Sequence, residues 1–405
     1  MRKVDLTAQV LMFDVKYSVS KKSIVMISKI SNTIFLISIL FVFFSCKKNI
    51  PPVVSVDPYF SAVSENWTKY MYSSNNGWLD NDQGRFSWDD GYALEGLVSN
   101  FERSNDIRYV DTFLKASDRI FAGCDLARGI KDVYRNMSTL HGWSATRYTA
   151  NFSPHIFGVT DAMILFPVVR MYNIAKRIIP DTDSRLAKIR QGVDFAVTEF
   201  LEVQKSDWIN ISSEMGYFHD PYFKSIGINT PVNQFARVGS FAIELYLATG
   251  NPMYLSYAEK MAKYLQGRLI TKDDYFYWSY MFALNPSQTE APDDLSHSNL
   301  VVQFMILCYN NSIVFSGDDM RKLVNLYLKQ LLLPGVGYRE YLDGPVPSSD
   351  VYIAHYYPLS AFDSQVRVSL HQWYNNQMFI YDPSTFLNHF GNKLVLLQAM
   401  DLYYK

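Results

Sequence analysis

From about Asp57 onward the apolar positions recur with the helical period, and runs of alternating β-branched residues are few. Short polar turns punctuate the pattern: Ser104-Asn105-Asp106, Asp181-Thr182-Asp183, Thr249-Gly250-Asn251, Ser316-Gly317-Asp318 and Tyr381-Asp382-Pro383. They start 77, 68, 67 and 65 residues apart, and a period of that kind marks a repeated supersecondary unit. Small polar residues in such turns end one helix and cap the next. The pattern predicts five helical hairpins, over about 89–123, 155–204, 231–269, 296–332 and 358–404, with an extra helix near 58–73.

Turns within the hairpins are short, whereas connections between hairpins are long and rich in aromatic residues and glycine. A linear solenoid would join its units by short loops. The asymmetry instead predicts an all-α chain, an α/α toroid of about five to six hairpins, closed or incomplete. Inner helices would start from the long loops on one face, with outer helices wrapped around them.

The amino terminus does not share the period. Lys21, Lys22 and Lys29 precede an apolar run from Ile34 to Phe44 that ends in Ser45-Cys46. This is the length of a signal peptide's apolar region and too short to span a membrane. The order of basic region, apolar region, small residue and cysteine resembles a bacterial lipoprotein signal, with Phe43-Phe44-Ser45-Cys46 at the lipobox. Phe44 departs from the small residue usual there, and Met26 offers a second start. The resemblance implies a signal peptide over residues 1–45, a lipid on Cys46, a tether over 46–57 and a toroid domain over 58–405. It implies a place in the bacterial cell envelope, on a membrane anchor facing the periplasm or the outside.

Composition narrows the class. Hydrophobic residues make up 48% of the 405 residues and charged residues 19%, enough apolar surface for a large core. Without residues 1–45 the chain carries 32 basic against 37 acidic residues, a net charge of −5. It has no basic block, which argues against nucleic acid as a partner. Past Cys46 only Cys124 and Cys308 remain, and their spacing leaves a disulfide open. No CxxC or HExxH motif occurs, so no dedicated zinc site and no cofactor are expected, and a bound Ca²⁺ has no support in the sequence.

Tyr275 to Asn299 is the richest stretch chemically. Five aromatics (Tyr275, Phe276, Tyr277, Trp278, Tyr280) precede Asp293, Asp294 and His297 at the mouth of an apolar helix. Aromatic faces suit the C–H faces of sugars, and a histidine beside carboxylates moves protons. If inner helices begin on one face, the polar residues at their starts converge there. These are Trp88, Asp89 and Asp90; His155 and Asp161; Asn233, Gln234 and Arg237; Asp293, Asp294 and His297; and Arg367 with His371.

His297 is the candidate base, since a helix N-terminus favours the neutral imidazole and Asp293 or Asp294 can orient it. Its spacing to Val301, Phe304 and Cys308 predicts a ring on the packed side of its helix. Tyr280 is a candidate proton donor, with Tyr277 and Trp278 as stacking surfaces. Arg237, and more weakly Arg147 and Arg367, could hold a carboxylate through a bidentate guanidinium, with Asn233 and His371 beside it. Asp90, with Asp293, Asp294 or Asp161 opposite, is the candidate carboxylate for hydrolysis. Each has a structural alternative: a helix cap, a packed ring, or an internal ion pair.

Trp88-Asp89-Asp90-Gly91-Tyr92-Ala93-Leu94, Pro231-Val232-Asn233-Gln234, Thr249-Gly250-Asn251-Pro252-Met253-Tyr254-Leu255 and Asp293-Asp294-Leu295-Ser296-His297 resemble hairpins of the six-hairpin, α/α-toroid carbohydrate enzymes. Those include polysaccharide lyases, unsaturated-uronide hydrolases and the toroid domain of glucuronyl C5-epimerases. The resemblance implies a polysaccharide or oligosaccharide substrate. The Tyr, His and Arg inventory favours β-elimination at a uronate over hydrolysis of a glycoside or unsaturated uronide. A non-catalytic glycan-binding lipoprotein is the alternative from a different class.

Overall fold

The computed structural model describes residues 56–404, apart from 62, 65–79, 224–229, 283–290, 334–336, 349–352 and 381–391. Cys46, the segment before it and the turn at Tyr381 lie outside the described residues, as does most of the expected helix near 58–73.

The helices follow the pattern that the turns set. They are α1 (Gly91–Ser104), α2 (Ile107–Ala122), α3 (Gly158–Ala175), α4 (Ser184–Glu202), α5 (Val232–Thr249), α6 (Pro252–Gln266), α7 (Leu295–Asn310), α8 (Gly317–Asn325), α9 (Ser364–Ile380) and α10 (Asn392–Tyr403). The turns work as caps. Asn105 ends α1 at φ 55° and the Asp106 carboxylate accepts Arg108 N–H at the start of α2. Gly250 ends α5 at φ 71°, and Asn251 caps α6 with Pro252 in its first turn. Ser316 and Asp319 form a reciprocal capping box on α8.

α1, α3, α5 and α7 are the inner helices, and each packs on the next around the ring. They are buried along most of their length, and they approach closely where glycine allows it. A Cβ at Gly91 would stand 2.6 Å from the Met163 carbonyl oxygen of α3, and one at Gly239 would stand 2.5 Å from the Phe304 ring of α7. α2, α4, α6 and α8 lie outside, each against its own inner helix. Among the described residues no helix is long and apolar enough to cross a membrane.

The fifth unit differs from the expectation of one hairpin over 358–404. Its inner member is a 3₁₀ segment, Ala354–Ala361, with Pro358 inside it, and its outer member is α9. α10 is not the partner of α9 in a simple hairpin. It packs on α1 and on the 3₁₀ segment, and so joins the last inner position to the first. Phe60 and Asp57 dock on the first hairpin, the ring of Phe60 edge-on to Tyr109 at 5.0 Å and Asp57 Oδ2 accepting the Tyr109 hydroxyl at 2.6 Å.

A polar knot lies on the axis between the inner helices. Glu95 of α1 is fully buried and accepts from Arg237 of α5 (3.1 Å), from Gln303 of α7 and from His355 Nε2 (2.9 Å). The guanidinium of Arg237 also lies 4.0 Å from the Phe166 ring centroid of α3. The cations beside Glu95 outweigh its burial and hold its carboxyl well below the usual range. Cys124 and Cys308 are both buried and both free, so the chain carries no bond between them.

Candidate active site

Long loops lead into the inner helices, and short strands fix them. Thr230–Pro231 pairs with Met281–Phe282, and Val232 N–H donates to the Tyr280 carbonyl at 2.9 Å, so the start of α5 is tied to the loop entering α7. Asp293 N–H in turn donates to the Trp278 carbonyl at 3.0 Å. Trp88, Asn233, Gln234, Tyr280, Ser296 and His297 stand around one cleft of about 310 Å³ beside these ties. That volume is at the lower end of the range for small-ligand sites. The walls are completed by Tyr92, Tyr148, Phe223 and Leu300.

Asp294 organises the α7 end of the cleft. Its Oδ1 accepts His297 N–H at 2.9 Å as the helix cap and the Ser296 hydroxyl at 2.8 Å; its Oδ2 lies 2.6 Å from His297 Nδ1. Burial raises the Asp294 carboxyl, but the bonds to His297 outweigh it and hold it below the usual carboxylate range. With Nδ1–H held by an ionised carboxylate, Nε2 is the basic nitrogen of the ring. The Tyr280 ring lies tilted against the imidazole, 4.6 Å away between centroids. Burial, with Asp293 and Asp294 near, pushes the Tyr280 phenol up to about 12, so it is a hydroxyl donor at neutral pH.

Asp293 sits behind this pair and is fully buried. Its Oδ2 accepts the Trp278 indole N–H at 2.7 Å and its Oδ1 accepts Asp294 N–H at 3.0 Å. Burial, with the Asp294 charge beside it, pushes its carboxyl up to about 7. One ligand atom each of Asp293, Asp294 and His297 falls within 4.8 Å of the others. Trp278, the helix cap and His297 already engage these oxygens, so the group reads as a dyad with a buried acid behind it.

The structure brings only part of the predicted set together. Trp88, Asn233, Tyr280 and His297 line the cleft, with Asp294 directly behind His297. His297 is not on the packed side of its helix: its side chain is 39% exposed because the Asp294 cap turns the ring outward. Arg237 is not a carboxylate clamp, since it is fully buried beneath the cleft on Glu95. Trp278 is 0% exposed and packs into the core, so it offers no stacking face. Tyr277 closes the strand Tyr275–Tyr277 opposite Ile270, away from the cleft walls. Asp90 is buried and ion-paired to Arg119 of α2, which removes it as a cleft carboxylate. Arg367 and His371 belong to the outer helix α9; Arg367 bonds the Tyr404 carbonyl and His371 Nδ1 lies 2.7 Å from Asp401. His155 and Asp161 are both fully buried, and Arg147 is exposed, its guanidinium 5.7 Å from the Tyr148 ring.

Tyr92, Tyr148, Phe223 and Leu300 were not singled out by sequence. Tyr92 and Leu300 follow Trp88 and His297 at helical spacing, a signal that extends each inner-helix start by one turn. Tyr148 and Phe223 stack at 5.0 Å across two different loops, and nothing in the sequence pairs those loops.

Comparison with known proteins found no family model and no curated protein that matches the chain. Solved structures do match. An inactive variant of the family 76 α-1,6-mannanase of Salegentibacter sp. HEL1_6, in complex with α-1,6-mannotriose, is 12% identical with a TM-score of 0.53 over 85% of this chain and 99% of that one. A family 76 glycoside hydrolase from a bovine Bacteroides thetaiotaomicron strain is 15% identical with a TM-score of 0.54 over 86% of this chain and 77% of that one. The likeness establishes the fold as the α/α toroid found among carbohydrate-active enzymes.

Proposed function

We propose that the chain is an exported, lipid-anchored enzyme that binds a glycan in this cleft and moves a proton at a bound sugar through His297. The observation that carries the reading is the approach of the Asp294-held imidazole and the Tyr280 ring, 4.6 Å apart on one wall of an aromatic cleft. Trp88 and Tyr148 supply faces for sugar rings, and Asn233 and Gln234 supply amides.

On a uronate-containing glycan this set suits β-elimination. His297 Nε2 removes the C5 proton, the electron pair forms the C4–C5 double bond, and the C4–O bond breaks as Tyr280 gives its proton to the leaving oxygen. The amides of Asn233 and Gln234 would meet the substrate carboxyl, a role that Arg237 cannot take from its buried position. Amides neutralise less charge than a guanidinium, so the base carries more of the work.

Hydrolysis of a neutral glycan is the second reading. It is favoured by one feature: among the described residues that line the cleft there is no lysine or arginine. The mannanase that shares the fold was crystallised with a neutral mannotriose, which fits such a lining.

The test is a panel of oligogalacturonates, glucuronate-containing polysaccharides and α-1,6-mannan incubated with the mature chain. Reducing ends together with the ultraviolet absorbance of an unsaturated uronide support elimination; reducing ends alone from mannan support hydrolysis. Turnover that survives His297→Ala on every substrate overturns the proposed role of the cleft. For the anchor, Cys46→Ala is expected to move the protein from the membrane fraction to the soluble fraction, and an unchanged fractionation would remove that part of the proposal.

A further inference from the structure

His155 is buried without lining the cleft, and its partners explain why. Its Nδ1 lies 3.0 Å from both carboxylate oxygens of Asp132, and its Nε2 lies 3.0 Å from Asp220 Oδ2. Each aspartate also holds the backbone of the tyrosine two residues on: Asp132 Oδ1 accepts Tyr134 N–H at 2.8 Å and Asp220 Oδ1 accepts Tyr222 N–H at 2.9 Å. Two Asx turns, far apart in sequence, are thus clamped on one imidazole. Burial opposes the charged ring, but the two carboxylates outweigh it and push His155 up to about 9, so the clamp is ionic at neutral pH.

The clamp presents two rings. Tyr134 and Tyr222 stack at 4.4 Å and both stand edge-on to His155, at 5.1 and 5.2 Å. The Tyr134 hydroxyl is fixed on Asn151 Oδ1 at 2.7 Å, while Tyr222 keeps 43% of its surface in water. Phe152, beside Asn151, is 67% exposed and held at φ 56°, a conformation rare for a bulky residue. Desolvating a histidine between two aspartates is expensive, and a stacked tyrosine at the surface needs no such foundation for packing alone. The platform is continuous with the cleft, since Phe223 follows Tyr222 and lines the cleft against Tyr148.

We infer that Tyr222, stacked on Tyr134 and clamped through Asp220 and His155, is an outlying subsite that holds a further sugar of the glycan whose reacting residue occupies the cleft. The inference rests on the cleft being a glycan site, and it makes the substrate an oligosaccharide or polysaccharide longer than the cleft itself. Sugar C–H faces would stack on the exposed part of the Tyr222 ring, extending the aromatic path from Tyr148 and Phe223.

The experiment is calorimetric titration of the mature chain with two ladders, α-1,6-linked manno-oligosaccharides and 1,4-linked oligogalacturonates, each from disaccharide to hexasaccharide. Affinity for the matching ladder is expected to rise with length. Tyr222→Ala removes roughly three- to tenfold of that rise, the worth of one aromatic contact, while Tyr222→Phe retains it and both variants bind the disaccharide as the parent does. An unaltered length dependence in Tyr222→Ala, or no length dependence in the parent on either ladder, overturns the subsite. If short oligosaccharides still bind and His297→Ala still abolishes turnover, the subsite alone falls; if neither ladder binds at all, the glycan reading of the cleft falls with it.

Discussion

Arg237 and Glu95 lie 142 positions apart and meet at 3.1 Å on the toroid axis, both fully buried. Their contact joins α5 to α1 across the ring, and Gln303 and His355 bring α7 and the 3₁₀ segment to the same carboxylate. Four inner elements therefore share one charge. Removing one partner of a buried ion pair leaves the other charge uncompensated, at a cost of about 3–5 kcal/mol.

Arg237→Ala is accordingly expected to lower the urea midpoint by an amount equivalent to about 3–5 kcal/mol. Arg237→Met with Glu95→Gln, which removes both charges and keeps the volume, should recover much of that loss. At temperatures where each variant is folded, KM for any substrate should stay near the parent value. A KM that rises selectively for uronates in Arg237→Met would instead return the guanidinium to the substrate.

The dyad yields a sharper kinetic expectation. His297→Ala should lower kcat on the active substrate by roughly 10²–10⁴, the usual worth of a positioned acid or base, with little change in binding. Asp294→Asn should reduce kcat while the helix keeps its cap, because asparagine still accepts His297 N–H. Asp294→Ala should cost about 1 kcal/mol of stability in addition. Trp88→Ala should weaken binding more than it lowers kcat. Equal kcat in the parent and His297→Ala would remove the base.

Trp278 separates the two meanings of an aromatic in a carbohydrate enzyme. It is buried, with its indole N–H on Asp293, so Trp278→Phe should leave sugar affinity unchanged. The same change strips the donor from a buried carboxyl and should cost about 1–3 kcal/mol in denaturant titrations. A selective loss of glycan affinity, with stability intact, would make it a stacking residue after all.

How far the sequence carried depends on the range of the interaction. Caps at Asn105, Asp183, Gly250, Asn251 and Ser316 act within a few residues, so the period of the hairpins was readable from the turns that contain them. Trp88, Asn233 and His297 were readable for the same reason: each stands at an inner-helix start, and the toroid gathers those starts on one face. Asp90 and Arg237 also stand near inner-helix starts, and Trp278 in the loop that leads to one, yet each is drawn inward by a partner that sequence does not reveal: Arg119, Glu95 and Asp293. One helical turn decides between cleft and core, since Asn233 lines the cleft while Arg237, four residues on, lies beneath it. The closing contact of α10 on α1 was hidden too, because it joins opposite ends of the described chain.

A buried carboxyl pair predicts how stability changes with pH. Asp161 at the start of α3 and Glu199 of α4 are both fully buried and adjacent; Asp161 accepts Trp143 N–H at 3.1 Å and Glu199 accepts the Gln204 amide at 2.8 Å. Burial raises both carboxyls well above their ordinary values; the Glu199 charge raises Asp161 further. The folded chain therefore keeps a proton that the unfolded chain gives up, and stability falls with rising pH wherever the folded state binds more protons. The contribution is complete below the unfolded values near 3.8 and 4.5 and declines as pH rises above them toward the folded ones. Glu199→Gln supplies a permanent donor to Asp161 in place of the shared proton. It is expected to raise the denaturation midpoint at pH 8 relative to the parent and to gain less at pH 5, measured by urea titration at both. A variant that is equally destabilised at the two pH values would show that the pair holds no proton in the folded chain.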